Sequence, residues 1–226
     1  VDVEFDGLRA SPGWKDRWEK AIVEASVGCP VPFYRHPVSS GNLIHQAYHL
    51  LAFETETGRD VRRFDLVIEF GGGYGSMCRL FYNQGFEGRY MLFDLPPFSA
   101  LQRFFLRSLG LPVRDIGIFL RESPSIFCTS RMDEVREILD TGTPERKILF
   151  LATWSLSEAP MEIRDAFLGL ATRFDGQLIA YQQTFQEIDN LAYFRKWKEG
   201  RDPGICFREF PIAHLPGNFY LFGFKQ

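Results

Sequence analysis

The run Phe64-Asp65-Leu66-Val67-Ile68-Glu69-Phe70-Gly71-Gly72-Gly73-Tyr74-Gly75-Ser76 decides how this chain is read. An apolar stretch rich in branched residues ends in an acid, and a glycine cluster follows at once. Such a run predicts a strand buried on both faces, as in a parallel sheet. The glycines let the backbone turn sharply and let a ligand lie against bare main chain. Met77, Leu80 and Phe81 then recur at helical spacing, so the turn opens into a helix over 76–84. The N-terminus of that helix offers free N–H groups and the positive end of its dipole, which suits an anionic or carboxylate-bearing ligand.

The glycine spacing is Gly71-x-Gly73-x-Gly75, with Ser76 where a dinucleotide fingerprint needs its last glycine. Glu69, two residues before the first glycine, stands where a carboxylate can face an ammonium group. A second strand, Tyr90-Met91-Leu92-Phe93, ends in Asp94. An acid at that tip can accept hydrogen bonds from both ribose hydroxyls of a nucleoside. Together these features resemble a class I S-adenosylmethionine-dependent methyltransferase. The Glu-Phe-Gly-Gly-Gly-Tyr-Gly run, with Phe93-Asp94-Leu95-Pro96 and the following helix containing Gln102, is similar to the sugar O-methyltransferase family. The resemblance implies a Rossmann-like α/β fold: a seven-stranded mixed sheet with an antiparallel last strand, helices on both faces and an N-terminal helical extension. It implies S-adenosylmethionine as cofactor, held by Glu69, Gly71, Gly73, Gly75, Asp94 and Leu95. It also nominates Ser130, Arg131 and Met132, at the junction that packs on the adenine in this fold.

Composition narrows the class. The chain has 226 residues, 45% of them hydrophobic and 23 of them phenylalanine, enough for one well-buried core and against disorder. A net charge of −3 gives no electrostatic footprint for nucleic acid. No apolar run reaches the length of a membrane span. Cys29, Cys78, Cys128 and Cys206 are widely spaced without a CxxC pair, and three lie in apolar surroundings. Buried free thiols are therefore expected, in keeping with a reducing cytoplasm.

Outward from the glycine run, residues 1–62 read as the helical extension and 63–226 as the core, one domain overall. Trp14, Trp18, Ile22 and Ala25 predict a helix over 14–27, ended by Gly28 and Pro30. A proline-bearing loop to Gly41 carries the exposed-looking Phe33-Tyr34-Arg35-His36. Asn42 is the expected cap of a helix to Thr57, buried through Ile44, Ala47, Tyr48 and Leu51. A helix over 96–109 shows Leu101, Phe104, Phe105 and Leu109 as its buried stripe. Residues 125–129 predict the third strand, 133–139 a helix, and 114–120 an irregular strand. The apolar 147–153 is the central fourth strand, and 177–181 the fifth. A helix over 189–198 follows, then antiparallel strands over 205–210 and 218–224, whose connection is too short for a helical crossover.

Chemistry concentrates beyond the carboxyl ends of the strands. Ser157 caps the helix after the fourth strand, with Pro160 in its first turn. Removing a hydroxyl proton needs an imidazole or carboxylate within hydrogen-bond reach. Glu158 is the candidate by position, and His214, in the final hairpin connection, by chemistry; His36 is a further one. Tyr34, Trp154 and Tyr181 can stack on a sugar face, and Gln182 opens a polar run after the fifth strand. His45 and His49, four apart, lack a third ligand, so no metal site is expected. The function implied by the resemblance is methyl transfer to a hydroxyl of a small molecule, a sugar or sugar-containing metabolite, without nucleic-acid or membrane partners. Two alternatives remain: a protein of this fold without catalysis, and a nicotinamide-dependent oxidoreductase.

Overall fold

A computed structural model of the chain describes residues 1–142, 145–199 and 204–225. Its centre is a seven-stranded sheet of β1 (Leu66–Phe70), β2 (Arg89–Phe93), β3 (Ser125–Thr129), β4 (Ile148–Thr153), β5 (Gly176–Gln182), β6 (Ile205–Pro211) and β7 (Asn218–Lys225). The order across the sheet is β6-β7-β5-β4-β1-β2-β3. β1 to β5 run parallel, and β7 lies antiparallel between β5 and β6. The expected mixed sheet with a reversed last strand is therefore present. From β1 the chain winds outward through β2 and β3, then returns to lay β4 on the other side of β1. That reversal opens a crevice beyond the carboxyl ends of β1 and β4, where ligands bind in open α/β sheets.

The strands form where the sequence is apolar throughout: every residue of β1 and β3 is buried, as are the first five of β4. Side chains alternate between two hydrophobic clusters. On one face Val67, Tyr90, Leu149, Leu178 and Phe222 pack with the extension; on the other Ile68, Met91, Phe150 and Ile179 pack with later helices. The helix Gly41–Thr57 lays Leu43, Ile44, Ala47, Leu50 and Phe53 on the sheet, with Phe53 edge-on to Phe222 at 5.4 Å. Residues of the extension thus share a core with the strands.

Several local expectations are corrected. The first helix is Asp2–Ala10, which the sequence did not single out, and the segment 14–27 is a π-helical turn, Trp14–Trp18, followed by Glu19–Ala21. The chain leaves the helix at Ile22 because Glu24 donates its N–H to Val38 and its carboxylate accepts from Arg79. Ala25 is only half-buried. Ser40, not Asn42, caps the helix Gly41–Thr57: its Oγ accepts from Leu43 N–H at 3.1 Å. Tyr48 and Leu51 are half-buried there.

In the helix Pro96–Ser108 the buried face is Ser99, Gln102, Phe105 and Leu106, whereas Leu101 and Phe104 are 43% and 68% exposed. That face brings Gln102 to the glycine turn. Residues 116–119 form a short helix instead of a strand. Ser157 turns back on Trp154, and Pro160 precedes the helix Met161–Leu168. Cys78 and Cys128 are buried, Cys206 is half-buried and Cys29 is exposed; all four are free thiols. Among the described residues no helix is long and apolar enough to cross a membrane.

Candidate functional site

β1 ends at Phe70, and the turn that follows places Gly71, Gly73 and Gly75 at φ +75°, +55° and +100°. Such values favour glycine. A Cβ at Gly71 would overlap Ser155 across the crevice, and one at Gly75 would press on Leu106 at 3.2 Å. Around Gly73 nothing lies within 4 Å of that position, so its outer side is open. Gly75 then leads into the helix Ser76–Asn83, whose N-terminus carries the remaining free N–H groups.

Asp94 follows β2 and holds this turn. Its Oδ2 accepts from Gly73 N–H at 3.1 Å and from Gln102 Nε2 at 3.0 Å, while Oδ1 accepts from Leu95 N–H at 2.8 Å. Gln102 Nε2 also donates to the Gly73 carbonyl at 3.0 Å. Partial burial pushes the Asp94 carboxyl above its ordinary value, against these hydrogen bonds. Asp94 and Gln102 thus clamp the turn at both the N–H and the carbonyl of Gly73.

Glu69 does not face the open groove. It is 2% exposed beneath Gly72 and accepts from Tyr90 OH at 2.9 Å. Burial raises its carboxyl to about 8; the Tyr90 hydrogen bond opposes this and the charge of Asp94 adds to it. Glu69 supports the turn from below.

A cleft of about 320 Å³ opens beside the turn, walled by Gly71, Asp94, Leu95, Ser130, Ser155 and Glu158. Five of the sequence candidates therefore meet in one place: Gly71, Asp94, Leu95, Ser130 and Glu158. Glu158 accepts from Gln182 Nε2 at 3.1 Å, which brings a further candidate to its rim. Met132 is half-buried against the core on the face of Ile68, and Arg131 is exposed and paired with Asp133. Tyr34 lies apart from the cleft, 74% exposed, with its OH donating to Asp2; it lines a groove that reaches Tyr74 of the glycine turn. His36 packs against Phe5 and Trp14, away from the cleft. A larger cavity of about 820 Å³, lined by Arg62, Arg89 and Arg146, sits at the opposite ends of the strands, the wrong edge for this site.

Trp154, the residue after β4, has φ +62° and ψ −39°, a conformation rare outside glycine. It is held by N–H donation to Ala180 at 2.6 Å and by Nε1 donation to Asn218 Oδ1 at 2.7 Å. Its ring stacks on His45 at 5.3 Å and meets His49 at 5.2 Å. Behind it lies a group that the sequence reading missed. Glu4 Oε1 lies 2.5 Å from His45 Nδ1 and 2.8 Å from His214 Nε2, while His49 Nε2 faces His45 Nε2 at 3.0 Å and His49 Nδ1 faces Tyr220 OH at 2.6 Å. Burial would raise the Glu4 carboxyl, but the hydrogen bonds and charges of His45 and His214 outweigh it and hold it at about 2. Burial, and then His45, push His49 well below the ordinary imidazole range, so that ring is neutral. The four-residue spacing of His45 and His49 was the one signal available; nothing near Glu4 pointed to its partners. Among the described residues no three His, Cys, Asp or Glu side chains are arranged to hold a metal ion.

No protein-family model matches the chain, and no curated protein does. Solved structures do. Magnesium protoporphyrin IX methyltransferase from Synechocystis PCC 6803, with SAM bound, aligns over 99% of this chain and 97% of its own at a TM-score of 0.51 and 14% identity. The methyltransferase domain of bacterial CtHen1-C aligns over 81% and 98% at 0.53 and 13%. An rRNA methylase from Streptococcus thermophilus aligns over 72% and 87% at 0.50 and 12%. At these identities the likeness is one of architecture: the chain has a Rossmann-like class I methyltransferase fold.

Proposed function

We propose that this chain is a methyltransferase that binds S-adenosylmethionine and moves its methyl group to a hydroxyl of a small molecule, with a sugar hydroxyl as the acceptor class. The observation that carries this reading is the clamp of Asp94 and Gln102 on Gly73, at the crevice between β1 and β4. The residues fit the cofactor: bare backbone at Gly73 leaves room for it, the free N–H groups before Ser76 suit its carboxylate, and Asp94 retains acceptor capacity for ribose hydroxyls. When bound, the cofactor supplies a methyl group made electrophilic by its sulfonium.

Gly71, Gly73, Gly75, Asp94 and Leu95 form the cradle in this reading, Ser130 and Met132 flank the adenine side, and Glu69 braces the turn. The chain's remaining task is to hold the acceptor oxygen about 3 Å from the methyl carbon, in line with the departing sulfur. Glu158, at the cleft wall, and His214, at the end of the sheet, are the proton acceptors. Trp154 and Gln182 border the acceptor, and Tyr34, on the groove that reaches Tyr74, belongs to its outer approach, whereas His36, packed on Phe5 and Trp14, takes no part. A sugar acceptor rests on the resemblance of the Glu-Phe-Gly-Gly-Gly-Tyr-Gly run to sugar O-methyltransferases. The net charge of −3 favours a small molecule over nucleic acid. Ser76 in place of a third fingerprint glycine and the reversed β7 argue against a nicotinamide enzyme.

Calorimetric titration with S-adenosylmethionine beside NADH tests the reading. Micromolar binding of the first alone is expected, weakened at least tenfold (about 1.4 kcal/mol) by Asp94→Ala. A folded protein that binds neither would refute it as an active enzyme and favour a non-catalytic protein of this fold.

A further inference from the structure

Two of the chain's four histidines meet one carboxylate, and a third joins the group through the first. Glu4 comes from the helix Asp2–Ala10, His45 from the helix Gly41–Thr57 and His214 from the connection between β6 and β7. Glu4 is 1% exposed, and both imidazoles meet its Oε1. A carboxylate in this position accepts N–H donors, so it fixes which ring nitrogen carries the proton. For His214 that nitrogen is Nε2, at 2.8 Å, and Nδ1 is left bare with no hydrogen-bond partner among the described residues. His45 is engaged at both nitrogens, by Glu4 and by His49, and His49 is fully buried between His45 and Tyr220. His214 alone of the three keeps a free basic nitrogen.

Its place suits the chemistry. β6 runs parallel to β1 and β4, so the connection that follows it lies at the same end of the sheet as the glycine turn. Trp154 links the two: it stacks on His45 and immediately precedes Ser155, which walls the cleft against Gly71.

We infer that Glu4 and His214 are a proton-accepting pair, with Glu4 the positioning residue and His214 Nδ1 the atom that takes the acceptor's hydroxyl proton; this rests on the methyltransferase reading. As the acceptor oxygen bonds to the methyl carbon and the carbon–sulfur bond breaks, the sulfur keeps that electron pair and becomes a neutral thioether. The hydroxyl proton passes to Nδ1, and the resulting imidazolium is balanced by Glu4. The positive charge thus moves from sulfur to His214, and none is lost.

Nitrogen NMR of the protein labelled with ¹⁵N-histidine tests the pair without any acceptor, with His214→Asn identifying the signal. At pH 8 His214 is expected as the Nε2–H tautomer. Glu4→Gln, which keeps an oxygen acceptor, preserves it, and Glu4→Leu loses it, while S-adenosylmethionine affinity stays within twofold in each. An Nδ1–H tautomer in the unaltered protein, or an unchanged tautomer in Glu4→Leu, overturns the pair. Failure of the unaltered protein to bind S-adenosylmethionine strikes the methyltransferase reading instead, and leaves the spectra to be judged separately. With methyl glycosides and labelled S-adenosylmethionine, His214→Asn is expected to lose turnover by about a hundredfold or more; full turnover overturns the pair. No turnover by the unaltered protein counts against the sugar class, and the spectra then decide the pair alone.

Discussion

Ser155 occupies the space that a side chain on Gly71 would need, and its Oγ donates to the carbonyl of Phe70 at the end of β1. Two strands that are neighbours in the sheet but far apart in sequence are thereby joined at their tips. Gly71→Ala is expected to destabilise the fold by about 1–3 kcal/mol, from the clash and the positive φ together. Urea unfolding of Gly71→Ala alone and with Ser155→Gly checks this. The second change should recover the clash and leave the backbone strain; no recovery would mean that the two sites are not in contact.

Gln102 makes two hydrogen bonds that close the turn, so Gln102→Leu should cost about 1–3 kcal/mol of stability. Its binding of S-adenosylmethionine should weaken too, though less than in Asp94→Ala. Equal affinity in Gln102→Leu and the unaltered protein would show that the clamp is not needed for binding.

Glu69 gives stability a dependence on pH with an unusual sign. Its carboxyl titrates at about 8 when folded, against an ordinary value of 4.5, so between these limits the folded state holds more protons. Stability from this group is therefore full below pH 4.5 and declines as pH rises through 8. Glu69→Gln should flatten that decline and be the more stable form at pH 9. Denaturation midpoints at pH 6 and pH 9 measure it; parallel losses in both proteins would refute it.

Leu101 and Phe104 look like core residues in the sequence but face outward. Phe104→Ser is expected to change stability by no more than about 0.5 kcal/mol, whereas Phe105→Ala should cost about 3–5 kcal/mol. Thermal melts of the two variants settle which face of the helix is inside.

β1, β3 and β4 were legible because each is a largely apolar, buried run, and β3 falls on the residues the sequence marked. Asp94 was legible because position on a strand tip fixes where a side chain goes. What failed depended on partners distant in sequence. The helix Pro96–Ser108 buries Phe105 and Leu106 beside Gln102, which meets Gly73, and leaves Leu101 and Phe104 outside; that choice of face depends on the glycine turn, not on the helix's own apolar pattern. The segment after Trp18 leaves its helix because of Arg79 and Val38, and the Glu4 group joins residues up to 210 positions apart. Periodicity reports on neighbours along the chain and carries no trace of such encounters.

The insertion of β7 between β5 and β6 has a consequence for the order in which the chain matures. Among the described residues β6 shares backbone pairing only with β7. During synthesis, β1 to β5 can assemble while β6 has nothing to pair with until residues 218–225 have left the ribosome. The flank of β5 stays open for the same interval, and an unpaired strand edge is a template for another chain. A chain truncated just past residue 211 would therefore present the parallel sheet with the edge of β5 uncovered.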